Sequence, residues 1–214
     1  RGGEENSTLF NATSSIDVIL NGASSSIQKV VMIDLFAFDI DKLPKQVDTK
    51  IDGIRLAFHK KDITDALQTA KKIINLGYQL FFQPMVTKNY TDDEFLALIE
   101  EVSQIDIYAF YIVDSFGSMS LSEFKHYIGL ADANLNKSVS LGYHSHNNMQ
   151  LAFSNAINFC NSQIDREIII DSSIYGMGRG AGNLNTELIA DYLNTINKHK
   201  CQIISLLEVI DEIL

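Results

Sequence analysis

Ile107-Tyr108-Ala109-Phe110-Tyr111-Ile112-Val113-Asp114 is an unbroken apolar run that ends at an acid, and what surrounds it sets the architecture. The run is strand-sized and shows no polar alternation, which suits a strand buried on both faces of a parallel sheet. Ser120, with Glu123 three residues on, then opens a helix over Ser120–Leu130 with a capping box. A second apolar run, Val139–Tyr143, begins after that helix. Strand, helix and strand in this order predict a βαβ unit.

The same rhythm extends in both directions. Further runs lie at Val30–Phe38, Gly53–Phe58, Tyr78–Val86 and Ile168–Ile170. Helical patterns lie at Asp62–Leu76, which stops at Gly77, and at Thr91–Val102, where Thr91 and Glu94 form another capping box. Asn148–Phe159 and Thr186–Ile196 follow the last two strands. Strict alternation means a parallel sheet, either doubly wound or closed as a (β/α)₈ barrel. Pro44 and Pro84 are the only prolines, and no linker divides the chain. Residues 1–29 differ: they read as a loop with one short helical piece at Ile16–Leu20, ahead of a single domain over residues 30–214.

With 214 residues, 46% of them hydrophobic and 21% charged, the chain has the balance of one soluble globular domain. No apolar run approaches the roughly 18 residues of a membrane span, so no membrane partner is expected. Seventeen basic against 27 acidic residues give a net charge of −10, the wrong sign for tracking phosphates, so no nucleic-acid partner is expected either. Lys60-Lys61 and Lys71-Lys72 read as solvated helix faces. Two cysteines, Cys160 and Cys201, are too few for a disulfide scaffold and suit a reducing, cytoplasmic setting.

In either parallel architecture the chemistry collects at the C-terminal ends of the strands. The Val139–Tyr143 run leads into His144-Ser145-His146-Asn147-Asn148. Residues i and i+2 of a strand share a side, so His144 and His146 can present two imidazoles together. They are either half of a divalent metal site or a hydrogen-bonded pair without metal. The Ile168–Ile170 run leads into Asp171 and a loop with four glycines in seven residues, Gly176-Met177-Gly178-Arg179-Gly180-Ala181-Gly182. That loop reads as a tight turn or as a backbone cradle for an anion, not as a dinucleotide fingerprint. Asp114, at the end of the opening run, is a substrate-side carboxylate or a turn former. Arg55 and His59 straddle the end of another strand: Arg55 either holds a substrate carboxylate or forms a barrel-interior ion pair, and His59 either moves protons or sits in a solvated loop. Gln83 can orient a substrate hydroxyl. Asp34 and Asp171 read as buried strand carboxylates in structural pairs, and His126 and His199 as surface residues.

Three motifs in order, Val113-Asp114-Ser115-Phe116-Gly117-Ser118-Met119, then Gly142-Tyr143-His144-Ser145-His146-Asn147-Asn148, then Gly176-Met177-Gly178-Arg179-Gly180-Ala181-Gly182-Asn183, resemble the DRE-TIM metallolyase superfamily. Its members include 4-hydroxy-2-oxovalerate aldolases, hydroxymethylglutaryl-CoA lyases and the isopropylmalate and homocitrate synthases. The resemblance is close over the second half of the chain and rhythmic over the first. It implies a (β/α)₈ TIM barrel holding a divalent cation, Mn²⁺ or Mg²⁺ ahead of Zn²⁺. It implies His144 and His146 as metal ligands, with Asn183 beside them and an aspartate from the first strand. It also implies cleavage of a small 4-hydroxy-2-oxo acid to pyruvate and an aldehyde through a metal-stabilised enolate. In this reading Asp114 and His59 are catalytic, while Arg55, Gln83, Gly178, Arg179 and Gly182 bind substrate.

One departure is large. The family's first-strand Asp–Arg pair has no match, since Arg1-Gly2-Gly3 adjoins no aspartate. Counted back from the Gly-rich strand as the eighth, Val30–Phe38 is the third. Strands 3–8 are then present, residues 1–29 form the tail of the second βα unit, and the chain is an N-terminally truncated barrel. About 55 residues would complete it to the roughly 250 typical of such barrels. Open edges of this kind favour a homo-oligomer. Two other functions stay open: a Claisen-type acyltransferase of the same superfamily, and a non-catalytic barrel fragment acting as a binding or assembly module.

Overall fold

Six strands, all parallel, pair in the order in which the chain makes them in a computed structural model that describes residues 10–197 and 200–213. They are β1 (Val30–Asp34), β2 (Gly53–Phe58), β3 (Gln79–Pro84), β4 (Ala109–Asp114), β5 (Ser140–Ser145) and β6 (Ile168–Ile170). The helices are α1 (Thr13–Ile19), α2 (Ile63–Asn75), α3 (Asp92–Val102), α4 (Leu121–Asn134), α5 (Ala152–Cys160), α6 (Thr186–Thr195) and α7 (Ile203–Ile213). A doubly wound sheet reverses its strand order at a switch point. This one never reverses, so its crossovers progress one way, as in the wall of a barrel.

Side-chain alternation divides the wall into two faces. Ile54, Leu56, Phe58, Leu80, Phe82, Phe110, Ile112, Leu141 and Tyr143 are fully buried, in one large core with Ala66, Ala70, Phe95 and Phe124 of the helices. The residues between them point the other way. There Phe81, Ala109, Tyr111 and Val113 form a separate small cluster with Val30 and Ile169. Separate cores on either side of one sheet are the outside and inside of a barrel wall. Curvature follows from one contact: Arg55 of β2 reaches Asp171, just past β6 and four strands away.

Both capping boxes form. Thr91 Oγ1 accepts from Glu94 N (3.3 Å) while Glu94 accepts from Thr91 N (2.8 Å), and Ser120 and Glu123 repeat the exchange. A different device closes the α4–β5 connection. The Arg166 side chain, 1% exposed, donates to the Asp132 carboxylate (2.8 Å) and to the carbonyls of Asp132, Leu135, Asn136 and Val139 at 2.8–3.3 Å. On the inner face the Tyr111 ring lies flat against Gly142, so that a Cβ at position 142 would run into it.

Several boundaries differ from expectation for local reasons. β1 ends at Asp34 instead of Phe38, because Ala37 N turns back to Asp34 O (2.9 Å) and Phe36 takes φ 70°. Asp34, the last residue of β1, is exposed, not buried in a pair. β5 runs on through His144 to Ser145. α5 starts at Ala152, not Asn148, since residues 147–150 are tied to neighbouring loops. α1 covers the expected helical piece near Ile16, whereas α7 was not expected. Neither Cys160 nor Cys201 forms a disulfide. His126 is exposed beside Asp92 (2.7 Å). Residues 1–9, including Arg1-Gly2-Gly3, and His199 lie outside the described residues.

Candidate metal centre

His144 is the fifth residue of β5 and projects to the inner face with Gly142, while His146 follows two residues on and bridges to Asn183. Their ring centroids are 5.4 Å apart with planes at 80°. Each ring has its Nδ1 against an acceptor. His144 Nδ1 meets Asp171 Oδ2 at 2.9 Å, and His146 Nδ1 meets the Asp114 carbonyl at 3.4 Å. A carboxylate or carbonyl oxygen can only accept, so both rings donate from Nδ1 and keep the lone pair on Nε2. Burial, with the Arg55 guanidinium and the His146 ring nearby, pushes the His144 imidazole down to about 3, which keeps it neutral at physiological pH.

Asn183 stands beside the pair. Its backbone N donates to Gly176 O (2.8 Å) and its Nδ2 to Met177 O (2.8 Å), which fixes the amide's orientation. Oδ1 is buried and without a hydrogen-bond partner among the described residues. An unpartnered acceptor on a residue whose backbone bridges to His146, together with the two imidazole lone pairs, makes a donor set that fits a divalent metal. Among the described residues no third His, Cys, Asp or Glu joins them.

The loops that carry these groups are stitched together. His146 N donates to Asp114 O (3.1 Å), Asn147 N to Gly182 O (2.8 Å), Met149 N to Gly117 O (2.9 Å) and Ala181 N to Asn148 Oδ1 (3.0 Å). Gly182 makes its turn at φ 89°, where an added Cβ would strike the Gly176 carbonyl. Asp114, 2% exposed, gives both carboxylate oxygens to the loop, accepting from Ser118 N (3.0 Å) and Met119 N (2.9 Å). It is the carbonyl of Asp114, rather than its carboxylate, that reaches His146.

Behind His144 lies a polar hub. Asp171 Oδ2 accepts from Arg55 Nη2 as well as from His144, and Oδ1 accepts from the Tyr111 hydroxyl (3.3 Å). With its amide oxygen turned to Arg55, Gln83 accepts from Nε (2.9 Å) and Nη2 (2.8 Å). The guanidinium carbon lies 5.5 Å from the centre of the Tyr111 ring. Burial lowers Arg55 from its ordinary value and raises Tyr111 to about 12. A cavity of about 480 Å³ opens on this inner face, between Arg55, Tyr111 and Asp171 at one end and Tyr108 and Glu167 at the other.

The structure thus brings together His144, His146 and Asn183, with Arg55 and Gln83 behind them. Arg55 does hold a carboxylate, and it belongs to Asp171. Gly178 packs against the Asn183 amide, and Arg179 is exposed on the same loop. His59 lies exposed one residue beyond β2, outside this hydrogen-bond network. Tyr111 and the link from Asp171 to His144 were not anticipated. The available signal was parity: Tyr111 shares its face with Ala109 and Val113, and Asp171 ends a strand beside His144.

Comparison with known proteins shows the family and the fold. Residues 47–211 match the family model described as HMGL-like. A 4-hydroxy-2-oxovalerate aldolase of Pseudomonas putida is 28% identical over 149 residues, which is 70% of this chain and 42% of that enzyme. One from Pseudoalteromonas translucida is 24% identical over 178 residues, 82% of this chain and 50% of the relative. The chain therefore spans at most half the length of these relatives. Among solved structures, the N-terminal domain of a candidate aldolase from Bacteroides vulgatus superposes with a TM-score of 0.77 at 25% identity, covering 99% of this chain and 71% of that one. Hydroxymethylglutaryl-CoA lyase from Pseudomonas aeruginosa superposes with a TM-score of 0.71 at 12% identity, covering 86% and 68%, and shares the fold.

Proposed function

Because this chain belongs to the HMGL-like family, we propose that it carries the metal-binding part of an aldolase that splits a 4-hydroxy-2-oxo acid into pyruvate and an aldehyde. The observation that carries the reading is the pair His144 and His146, each tied at Nδ1 to an acceptor, with Asn183, whose Oδ1 is bare, bridged to His146 through the backbone. His144 and His146 would hold Mn²⁺ or Mg²⁺ through Nε2, and Asn183 through Oδ1. When bound, such a cation supplies Lewis acidity to the oxygens of the 2-oxo acid.

The chain's own groups would do the rest. Cleavage removes the proton of the 4-hydroxyl, whose electrons form the aldehyde carbonyl as the C3–C4 bond breaks; the C3–C4 pair becomes the enolate of pyruvate, which takes up a proton at C3. Of the two acid–base candidates, Asp114 has both carboxylate oxygens on backbone amides and would hold the loop, while His59, exposed one residue beyond β2, is this chain's remaining candidate for proton transfer. Arg179, exposed on the loop that carries Asn183, would meet the substrate carboxylate, with Gly178 and Gly182 letting the backbone approach. Arg55 and Gln83 would act from the hub behind His144.

The test uses the purified protein that carries this chain, 4-hydroxy-2-oxovalerate and either Mn²⁺ or Mg²⁺, with pyruvate followed through lactate dehydrogenase and NADH. Pyruvate release that rises with metal and stops with a chelator is expected. Metal-loaded protein that releases no pyruvate from a series of 4-hydroxy-2-oxo acids would sink the reading. Thiol release from acetyl-CoA and a 2-oxo acid would instead favour acyl transfer.

A further inference from the structure

We infer that Asp171 is a positioning residue that sets which nitrogen of His144 carries the proton, and so which one faces a cation. The inference rests on the metal-site reading for its purpose and on hydrogen bonds alone for its geometry.

The two histidines are held by unlike means. His146 leans on a backbone carbonyl at 3.4 Å, an acceptor that no substitution at position 114 removes. His144 leans on a side chain, Asp171 Oδ2 at 2.9 Å. That carboxylate is itself over-determined. Arg55 grips Oδ2 from across the sheet, and Tyr111 donates to Oδ1 (3.3 Å). Gln83 in turn fixes the guanidinium at Nε and Nη2. Donors on β2, β4 and β5 therefore converge on one residue past β6 and hold its Oδ2 towards His144. A carboxylate on Nδ1 both selects the tautomer and fixes the ring's rotation, and removing such a partner typically weakens metal binding about 10–100-fold. Charge is balanced locally, since Arg55 offsets Asp171. The hub can thus be replaced as a unit: exchanging a buried ion pair for apolar side chains of similar size is often neutral for stability.

The experiment has a readout that needs neither metal nor substrate. Long-range ¹H–¹⁵N spectra of the metal-free protein report the tautomer of each imidazole. Wild type is expected to show Nδ1–H at both His144 and His146. In the double variant Arg55→Met, Asp171→Leu, His144 is expected to shift towards Nε2–H while His146 stays unchanged as an internal control. Mn²⁺ affinity, measured by calorimetry, is expected to fall about 10–100-fold in that variant. Asp171→Asn, whose amide oxygen can take the place of Oδ2, is expected to keep both the tautomer and most of the affinity. His144 holding Nδ1–H in the double variant, or unchanged Mn²⁺ affinity there, overturns the inference. If the double variant does not fold, Asp171→Ser removes the reach of the carboxylate and is read in the same two ways. Protein with the expected tautomers but no pyruvate release would fail the aldolase reading and leave this one standing.

Discussion

His146→Ala is expected to lower Mn²⁺ affinity by at least about 100-fold while leaving the fold nearly as stable as before. The first expectation follows from ligand chemistry. If a supporting partner is worth about 10–100-fold, a ligand itself is worth at least the upper end of that range. The second follows from what the ring touches. Its only ring hydrogen bond among the described residues is a long one to the Asp114 carbonyl, which also accepts the closer His146 backbone N–H (3.1 Å) that the variant retains. His144 would make a poorer test, because its ring also packs against the Arg55–Asp171 hub. Calorimetric Mn²⁺ titration of wild type, His146→Ala and His126→Ala checks the prediction. His126 is an exposed residue on α4 paired with Asp92, so its variant should bind as wild type does. Equal affinity in all three would show that the histidine pair is not the cation site.

Arg166→Leu is expected to destabilise the chain by about 3 kcal/mol without changing Mn²⁺ affinity. The Arg166 side chain is 1% exposed and reaches four carbonyls and one carboxylate, in the last turn of α4 and the connection that follows to β5. Leucine keeps the bulk but leaves those oxygens to find water, a loss compounded by the unpaired Asp132 carboxylate. Asp132 is itself 25% exposed and retains Lys137 at 3.1 Å, which holds the figure to the lower end of what a broken buried pair costs. Urea unfolding followed by circular dichroism measures it. A loss below about 1 kcal/mol would mean that the connection is held by its own turn hydrogen bonds.

What the sequence made legible was local. The βα rhythm, both capping boxes and the shared side of His144 and His146 depend on periods and spacings of a few residues, and the folded chain keeps them. What it hid was long-range. Arg55 and Asp171 lie 116 residues apart on strands that are not neighbours, and only the curvature of the wall brings them together. Asp114 is a similar case. An acid at the end of a strand looks poised for chemistry, yet the backbone amides of Ser118 and Met119 take its carboxylate, leaving only its carbonyl for His146. Asp34 looked buried because its neighbours are apolar, yet it is exposed at the end of β1, where the chain turns away at Phe36.

The contact between Tyr111 and Gly142 has a consequence for descent. The ring occupies the volume that a side chain at position 142 would need, and from there its hydroxyl reaches Asp171. Residues 111 and 142 are therefore one heritable choice made twice. Among related chains, any residue larger than glycine at position 142 should arrive together with something smaller than tyrosine at position 111. Those lineages would lose the hydroxyl that touches the acid beside His144. A methyl group gained on β5 would thus be felt, through a ring on β4, by an acid beyond β6.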